Sequence, residues 1–87
     1  MRVKPEFILR KVGSQYIVAA TGKASMSFNG MIRLDESGAY AFGLLKKEIT
    51  EKDLLSALAQ KYSVEESALQ GDLTHFLEKL READALV

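Results

Sequence analysis

The hydrophobic pattern changes near residue 35, from short segments typical of β-strands to the longer period of α-helices. Residues 7–12 and 16–21 are rich in β-branched and aromatic side chains, and residues 13–15 between them have the composition of a hairpin turn. Residues 28–34 alternate between apolar and polar positions and so have one apolar face. The pattern predicts an antiparallel hairpin, a small polar loop over 21–27 and a third strand.

After Asp35, the apolar positions recur about every three and a half residues, which predicts three helices. The first, over 39–45, contains Gly43 and is intrinsically weak, so packing must hold it. The second begins after Thr50, which is followed three residues later by Asp53 in the manner of an N-cap with an acidic first turn. The apolar side of this helix consists of Leu54, Leu55, Leu58 and Tyr62.

The last helix has the clearest amphipathic pattern. Ser63 is followed three residues later by Glu66, which predicts a capping box that opens this helix. Apolar residues then recur at i, i+4, i+7, i+8 and i+11, and such a stripe must face another apolar surface. The stripe consists of Leu69, Leu73, Phe76, Leu77 and Leu80.

The order of elements, strands first and helices afterwards, favours the α+β class over alternating α/β. With 87 residues, 47% of them hydrophobic, the chain can build one core and no second one. We therefore expect a single domain over residues 1–87.

Catalytic and cofactor-binding patterns are missing from the sequence. It contains no cysteine, and its one histidine, His75, has no neighbour at metal-ligand spacing. No glycine-rich loop with a following Lys-Ser or Lys-Thr is present, and no serine has a nearby base. We expect a protein that is not an enzyme and that holds no metal or cofactor.

Hydropathy and charge limit the partners. No apolar run approaches the roughly 20 residues that span a bilayer, and the N-terminal residues lack a signal-peptide core, so we expect a soluble cytoplasmic protein without a membrane partner. Residues 1–34 carry six basic side chains and one acidic side chain, whereas residues 64–87 carry six acidic and two basic ones. The first part favours acidic partners, and the last helix repels nucleic acid.

Three runs of this chain resemble the PqqD-like family, whose founding member is the coenzyme PQQ synthesis protein D. The runs are FILRKVGSQYIVAATGKASMSFNGMIRLDESGAYAFGLL, EITEKDLLSALAQKYSV and DLTHFLEKLREADAL. FNGMIRLDESGA is similar to the family's third strand and its turn into the first helix, and DLTHFLEKLREA to its last helix. Phe42 stands where such sequences commonly have tryptophan, and Asp84 where many have glycine.

This resemblance implies a winged-helix-like fold, with a three-stranded antiparallel sheet packed on a three-helix bundle. It also implies a function. Members of the family act as RiPP recognition elements: they hold the leader segment of a ribosomally made precursor peptide and deliver the peptide to a modifying enzyme, often a radical SAM enzyme. In the founding member this is a step towards pyrroloquinoline quinone.

An exposed edge of the third strand offers a physical basis for such binding, because an extended peptide can pair with its free N–H and C=O groups. The side chains of the peptide would then be selected by a groove between this strand and the last helix. Ile32, Leu34, Leu73, Leu77 and Leu80 also fit the core, which is the competing interpretation. The predicted peptide-binding residues are Met31, Ile32, Arg33 and Leu34 on the strand, and Leu69, Asp72, Leu73, Phe76, Lys79 and Leu80 on the helix, with Leu77 beside them.

A winged-helix outline also suggests an alternative function, a DNA-binding regulator. The acidic last helix argues against it, because acidic side chains that face phosphates lower affinity. We therefore expect no nucleic-acid partner. The same strand edge could pair with a second copy of the chain, so a homodimer stays open at this point.

Overall fold

Three antiparallel strands and three longer helices make up most of the computed structural model, which describes residues 1–28 and 30–87. The strands form one sheet in the order β1-β2-β3, so β1 and β3 are its edges. This architecture confirms the predicted α+β class, a three-stranded antiparallel sheet followed by helices. The elements are β1 Phe7–Val12, β2 Gln15–Ala20, α1 Ala24–Ser27, β3 Met31–Leu34, α2 Glu36–Leu44, α3 Glu51–Tyr62 and α4 Glu66–Glu82.

The hairpin between β1 and β2 is closed by a two-residue loop. Gly13, at its first position, has φ +62°, and Val12 pairs with Gln15 on either side of the loop. A positive φ at the first position only is the signature of a type II′ turn, whose twist matches that of the flanking strands. Glycine adopts this conformation without steric cost, so the turn sets the register of the hairpin.

The segment between β2 and β3 differs from the prediction. Part of the predicted loop over 21–27 is the short helix α1, whose first turn is supported by a bond of 2.6 Å from the Ser25 hydroxyl to the Gly22 carbonyl. The predicted third strand over 28–34 begins only at Met31, and Asn29 lies outside the described residues. Phe28 instead packs on Phe7, with ring centroids 6.0 Å apart, so its apolar character serves this contact rather than a strand.

Two helix starts were predicted from capping residues, and one is confirmed. The Thr50 hydroxyl accepts a bond from the Asp53 N–H at 3.1 Å at the start of α3. The predicted capping box from Ser63 to Glu66 is wrong. Ser63 has φ 54° and ends α3, where the N–H of Val64 bonds to the Ala59 carbonyl at 3.1 Å. A left-handed residue with such a bond closes a helix, so α4 starts only at Glu66.

Asp84 ends α4 in a Schellman motif. It has φ 57°, its N–H bonds to the Arg81 carbonyl at 2.9 Å, and the next N–H, of Ala85, bonds to the Leu80 carbonyl at 2.8 Å. Leu80 and Ala85 are fully buried and supply the apolar contact that accompanies such a motif. Aspartate therefore takes a left-handed position that glycine adopts more freely, and its carboxylate lies 3.0 Å from the Lys4 ammonium.

The core lies between the inner face of the sheet and the three longer helices. Val18 and Ile32 from the sheet meet Phe42 from α2 and Leu77 from α4. Backbone hydrogen bonds hold the N-terminal segment on this unit. The Val3 N–H donates to the Leu45 carbonyl at 2.8 Å, and the backbones of Lys4 and Arg2 bond to the C-terminal residues. Within the described residues, no helix is long and apolar enough to cross a membrane.

Candidate functional site

A groove of about 280 Å³ opens between the end of β3, the start of α2, the end of α3 and one face of α4. It is lined by Arg33, Leu34, Asp35, Ser37, Gly38, Ala41, Leu58, Tyr62, Leu69, Asp72, Leu73, His75, Phe76 and Lys79.

The floor of the groove is apolar and its walls are half-exposed. Ala41, Leu58 and Leu73 are buried beneath it. Leu69 and Phe76 from α4 are partly buried and pack on the core with one side. Apolar walls that still face solvent gain free energy when another apolar side chain covers them, at about 25 cal/mol per Å². The groove is therefore suited to apolar side chains of a ligand.

Gly38 keeps the α2 end of the groove close to β3. A Cβ at this position would lie 3.2 Å from the Leu34 Cβ and 3.3 Å from the Asp35 Oδ1. Both distances are shorter than usual contacts, so with a larger residue these side-chain atoms would have to move by a few tenths of an ångström. Glycine thereby allows the close approach of α2 to β3.

Asp35 places a fixed negative charge at the same end. Its carboxylate caps α2 by accepting bonds from the Gly38 N–H at 2.8 Å and the Ser37 hydroxyl at 2.9 Å. These bonds lower the pKa of Asp35 below its usual value, because they favour the ionised form. Next to Asp35, the Tyr62 ring packs edge-on against the Tyr40 ring, with the ring centroids 6.2 Å apart. Burial raises the pKa of Tyr62, and the nearby Glu36 and Asp35 carboxylates raise it further.

The rim of the groove carries charges of both signs. Arg33, Asp72 and Lys79 are exposed, and none of them has an ion-pair partner within the described part of the chain. Unpaired exposed charges stay available to a ligand and can select its register. His75 is also exposed at this rim, as a surface residue. The described residues include no cluster of three metal-ligating side chains.

The hydrogen-bond phase of the sheet identifies the free groups of the β3 edge. Thr21 donates its N–H to the Glu6 carbonyl at 2.8 Å, so the odd-numbered residues of the second strand bond towards β1. Because bonding directions alternate along a strand, Tyr16 and Val18 bond towards β3, where they pair with Leu34 and Ile32.

It follows that Ile32 and Leu34 use their backbone groups on β2. The N–H and C=O groups of Met31 and Arg33 then point away from the sheet, at its open edge. β3 is an edge strand, and its last residues line the groove. The free edge and the apolar groove therefore lie side by side.

Most of the predicted site residues meet at this groove. Met31 is 66% exposed on β3 but does not line the groove, while Ile32 and Leu80 are 8% and 0% exposed and belong to the core. Leu77 is likewise a core residue. The predicted residues that line the groove are Arg33, Leu34, Leu69, Asp72, Leu73, Phe76 and Lys79.

Sequence reasoning missed the opposite wall, which comes from α2 and the end of α3. Asp35, Gly38 and Tyr62 contribute to it. Asp35, which is followed by Ser37 and Gly38, has the pattern of a helix N-cap and could have indicated a helix start directly after the strand. Tyr62 was assigned to the apolar side of its helix, and only the packing of α3 on α4 shows that it reaches the groove.

Comparison with known proteins bears on fold and family. Among curated proteins, none matches this chain. A solved structure described as TbiB1 in complex with the TbiA(beta) leader peptide is similar, with a TM-score of 0.74 and 19% identity over 99% of this chain and 94% of that chain. At this identity the likeness shows a shared fold. The family model described as Coenzyme PQQ synthesis protein D (PqqD) matches residues 15–86, which is most of the chain. The chain therefore belongs to the PqqD family.

Proposed function

We propose that this protein binds the leader segment of a ribosomally made precursor peptide by adding it as a fourth strand to β3, and that it presents the peptide to a modifying enzyme. The observation that carries this proposal is the open edge of β3 beside the apolar groove. Family membership supports it, as does the fold shared with a protein whose structure contains a leader peptide.

Backbone pairing supplies part of the affinity. Met31 and Arg33 together offer two N–H and two C=O groups at the open edge. At a net value of roughly 1 kcal/mol for each hydrogen bond, four bonds give about 4 kcal/mol, which corresponds to a Kd of about 1 mM. Backbone pairing alone is therefore weak and does not select a sequence, so side chains must provide the remaining affinity.

The groove provides this selection. In a strand added to β3, alternate side chains point towards Leu69, Leu73 and Phe76, and the others point to the opposite face of the sheet. An apolar side chain buried in the groove contributes roughly 1.5–3 kcal/mol. We expect the bound segment to carry apolar residues two positions apart, with Asp72 and Lys79 fixing its register and Arg33 favouring an acidic neighbour.

The protein itself performs no chemistry in this proposal. The bond-making step belongs to the modifying enzyme, for which we propose a radical SAM enzyme, because enzymes of this class often act with members of the family. A leader segment that orders only on binding gives up part of its binding free energy, which keeps release rapid. Such a complex suits the transfer of a peptide to an enzyme.

Calorimetric titration with leader segments of precursor peptides encoded near this gene tests the proposal. Phe76→Ala removes a groove wall and is expected to weaken binding about tenfold. Glu78→Ala, on the exposed side of the same helix, is the matched control and should bind like the wild type. Absence of binding to every leader, or equal affinity of the wild type and Phe76→Ala, would contradict the proposal, and salt-sensitive binding of duplex DNA would favour the regulator instead.

A further inference from the structure

The second face of the sheet is unusually apolar. The inner face, with Val18 and Ile32, packs on the core. Strand alternation and the observed register place eight strand residues on the outer face. Across the three strands they form the rows Ile8, Ala19 and Met31, then Arg10, Ile17 and Arg33, and finally Val12 with Gln15.

Five of these eight residues are apolar, although the solvent face of an antiparallel sheet is normally polar. None of the five belongs to the core or packs against it. Met31 and Val12 are 66% and 59% exposed, and Ile8 and Ile17 are half-buried. A contiguous apolar surface of this kind, rimmed by polar residues, marks a site of interaction.

The charges on this face select its partner. Arg10 and Arg33 lie on either side of Ile17 in one cross-strand row, and the eight residues include no acidic side chain. A second copy packed face to face would bring arginines against arginines, which disfavours self-association. The eight residues also include no aromatic ring for stacking on bases. The complementary partner is an apolar protein surface that carries carboxylates.

The outer face is continuous with the proposed peptide site. Met31 and Arg33 place their side chains on this face, while their backbone groups form the open edge. Two strands of six residues and one of four cover roughly 250 Å², which is less than the roughly 800 Å² that each partner contributes to a stable interface. A peptide added to β3 would extend this face by a fourth strand. A partner seated here would therefore touch the protein and the peptide together.

We propose that the modifying enzyme docks on this outer face, through an apolar surface with acidic residues. This inference rests on the proposed function, because the occupant is the enzyme that acts on the bound peptide. Docking here meets the groove only at Arg33 on its rim and places the enzyme beside the outward-facing side chains of the peptide. The enzyme should bind the leader-loaded protein more tightly than the free protein.

The test uses the full chain, the modifying enzyme encoded beside its gene and the leader segment of the neighbouring precursor. The variants Arg10→Glu and Ile17→Ser alter the outer face on strands that do not contact the groove. Both are expected to raise the Kd for the enzyme about tenfold or more and to leave the Kd for the leader within about twofold of the wild type. Lys52→Glu, an exposed charge reversal on α3, is the matched control and should change neither value. Thermal unfolding confirms that each variant is folded.

Each other outcome overturns this inference. Unchanged enzyme affinity in both variants, or failure of the wild type to bind the enzyme, excludes docking on this face. If the wild type forms a concentration-dependent dimer and the variants do not, the face binds a second copy of the chain. If the wild type binds DNA in a salt-sensitive manner and the variants do not, the face binds nucleic acid. Failure of the proposed function has a different signature, because the wild type would then not bind the leader at all.

Discussion

Replacement of Arg33 by proline tests the open edge through the backbone rather than through the side chain. Arg33 lies in the middle of β3, with its N–H directed away from β2, so proline removes no bond within the sheet. It removes one hydrogen bond to an added strand, and its ring occupies the position of the peptide carbonyl. The lost bond and the disturbed neighbouring bond together cost about 1.5–3 kcal/mol, so the leader Kd should rise about 10- to 100-fold.

Three measurements complete this test. Calorimetry gives the Kd of the leader, and urea unfolding gives the free energy of unfolding, which should change by no more than about 1 kcal/mol in Arg33→Pro. Arg33→Ala keeps the N–H and separates the effect of the side chain. Ile32→Pro, which loses a bond to β2 and a buried side chain, should destabilise the fold by roughly 3 kcal/mol. If Arg33→Pro bound the leader as tightly as Arg33→Ala, pairing along this edge would be refuted.

The remaining predictions concern stability. Gly71→Ala should stabilise α4 by roughly 0.5–1 kcal/mol in urea unfolding, because a Cβ there meets no described atom within 4 Å; a loss of stability would show a hidden contact. Asp84→Gly should add roughly 0.5–1 kcal/mol, because glycine adopts φ 57° freely and the exposed ion pair with Lys4 contributes little; an unchanged midpoint would contradict the strain argument. Asp35→Ala should cost about 1 kcal/mol at pH 7. Because the pKa of Asp35 is lowered in the fold, its contribution is complete above its unfolded pKa of about 3.9 and is lost as the pH falls through the folded value, so variant and wild type should converge in acid.

The fold could be predicted where local pattern and packing agree. The hairpin follows from its composition and from the turn at Gly13, and the α4 stripe from its period. Thr50 caps α3 as predicted, because a threonine followed three residues later by an aspartate is compatible only with a helix start. Ser63 is compatible with two structures. A serine followed three residues later by glutamate suits a helix start, whereas in the structure Ser63 is left-handed and ends α3, next to Tyr62, which packs on the core. The choice depends on contacts distant in sequence, which a local motif does not contain.

The groove was only half predictable for the same reason. The α4 wall, including Leu69 and Phe76, follows from the amphipathic stripe, although periodicity cannot separate groove residues from core residues such as Leu80. The other wall depends on how α2 and α3 pack beside β3. Likewise, strand alternation predicts that Met31 and Arg33 share a face, but their free backbone groups follow only from the register with β2.

Amide hydrogen exchange of the labelled protein, followed by NMR with and without the leader segment, tests strand addition most directly. Our account predicts that the N–H groups of Met31 and Arg33 exchange more slowly when the leader is bound, because the peptide accepts their hydrogen bonds. The N–H groups of Ile32 and Leu34 already bond to β2 and should change less. An equal gain in protection at all four amides, or no gain at Met31 and Arg33, when the leader is bound would contradict the account.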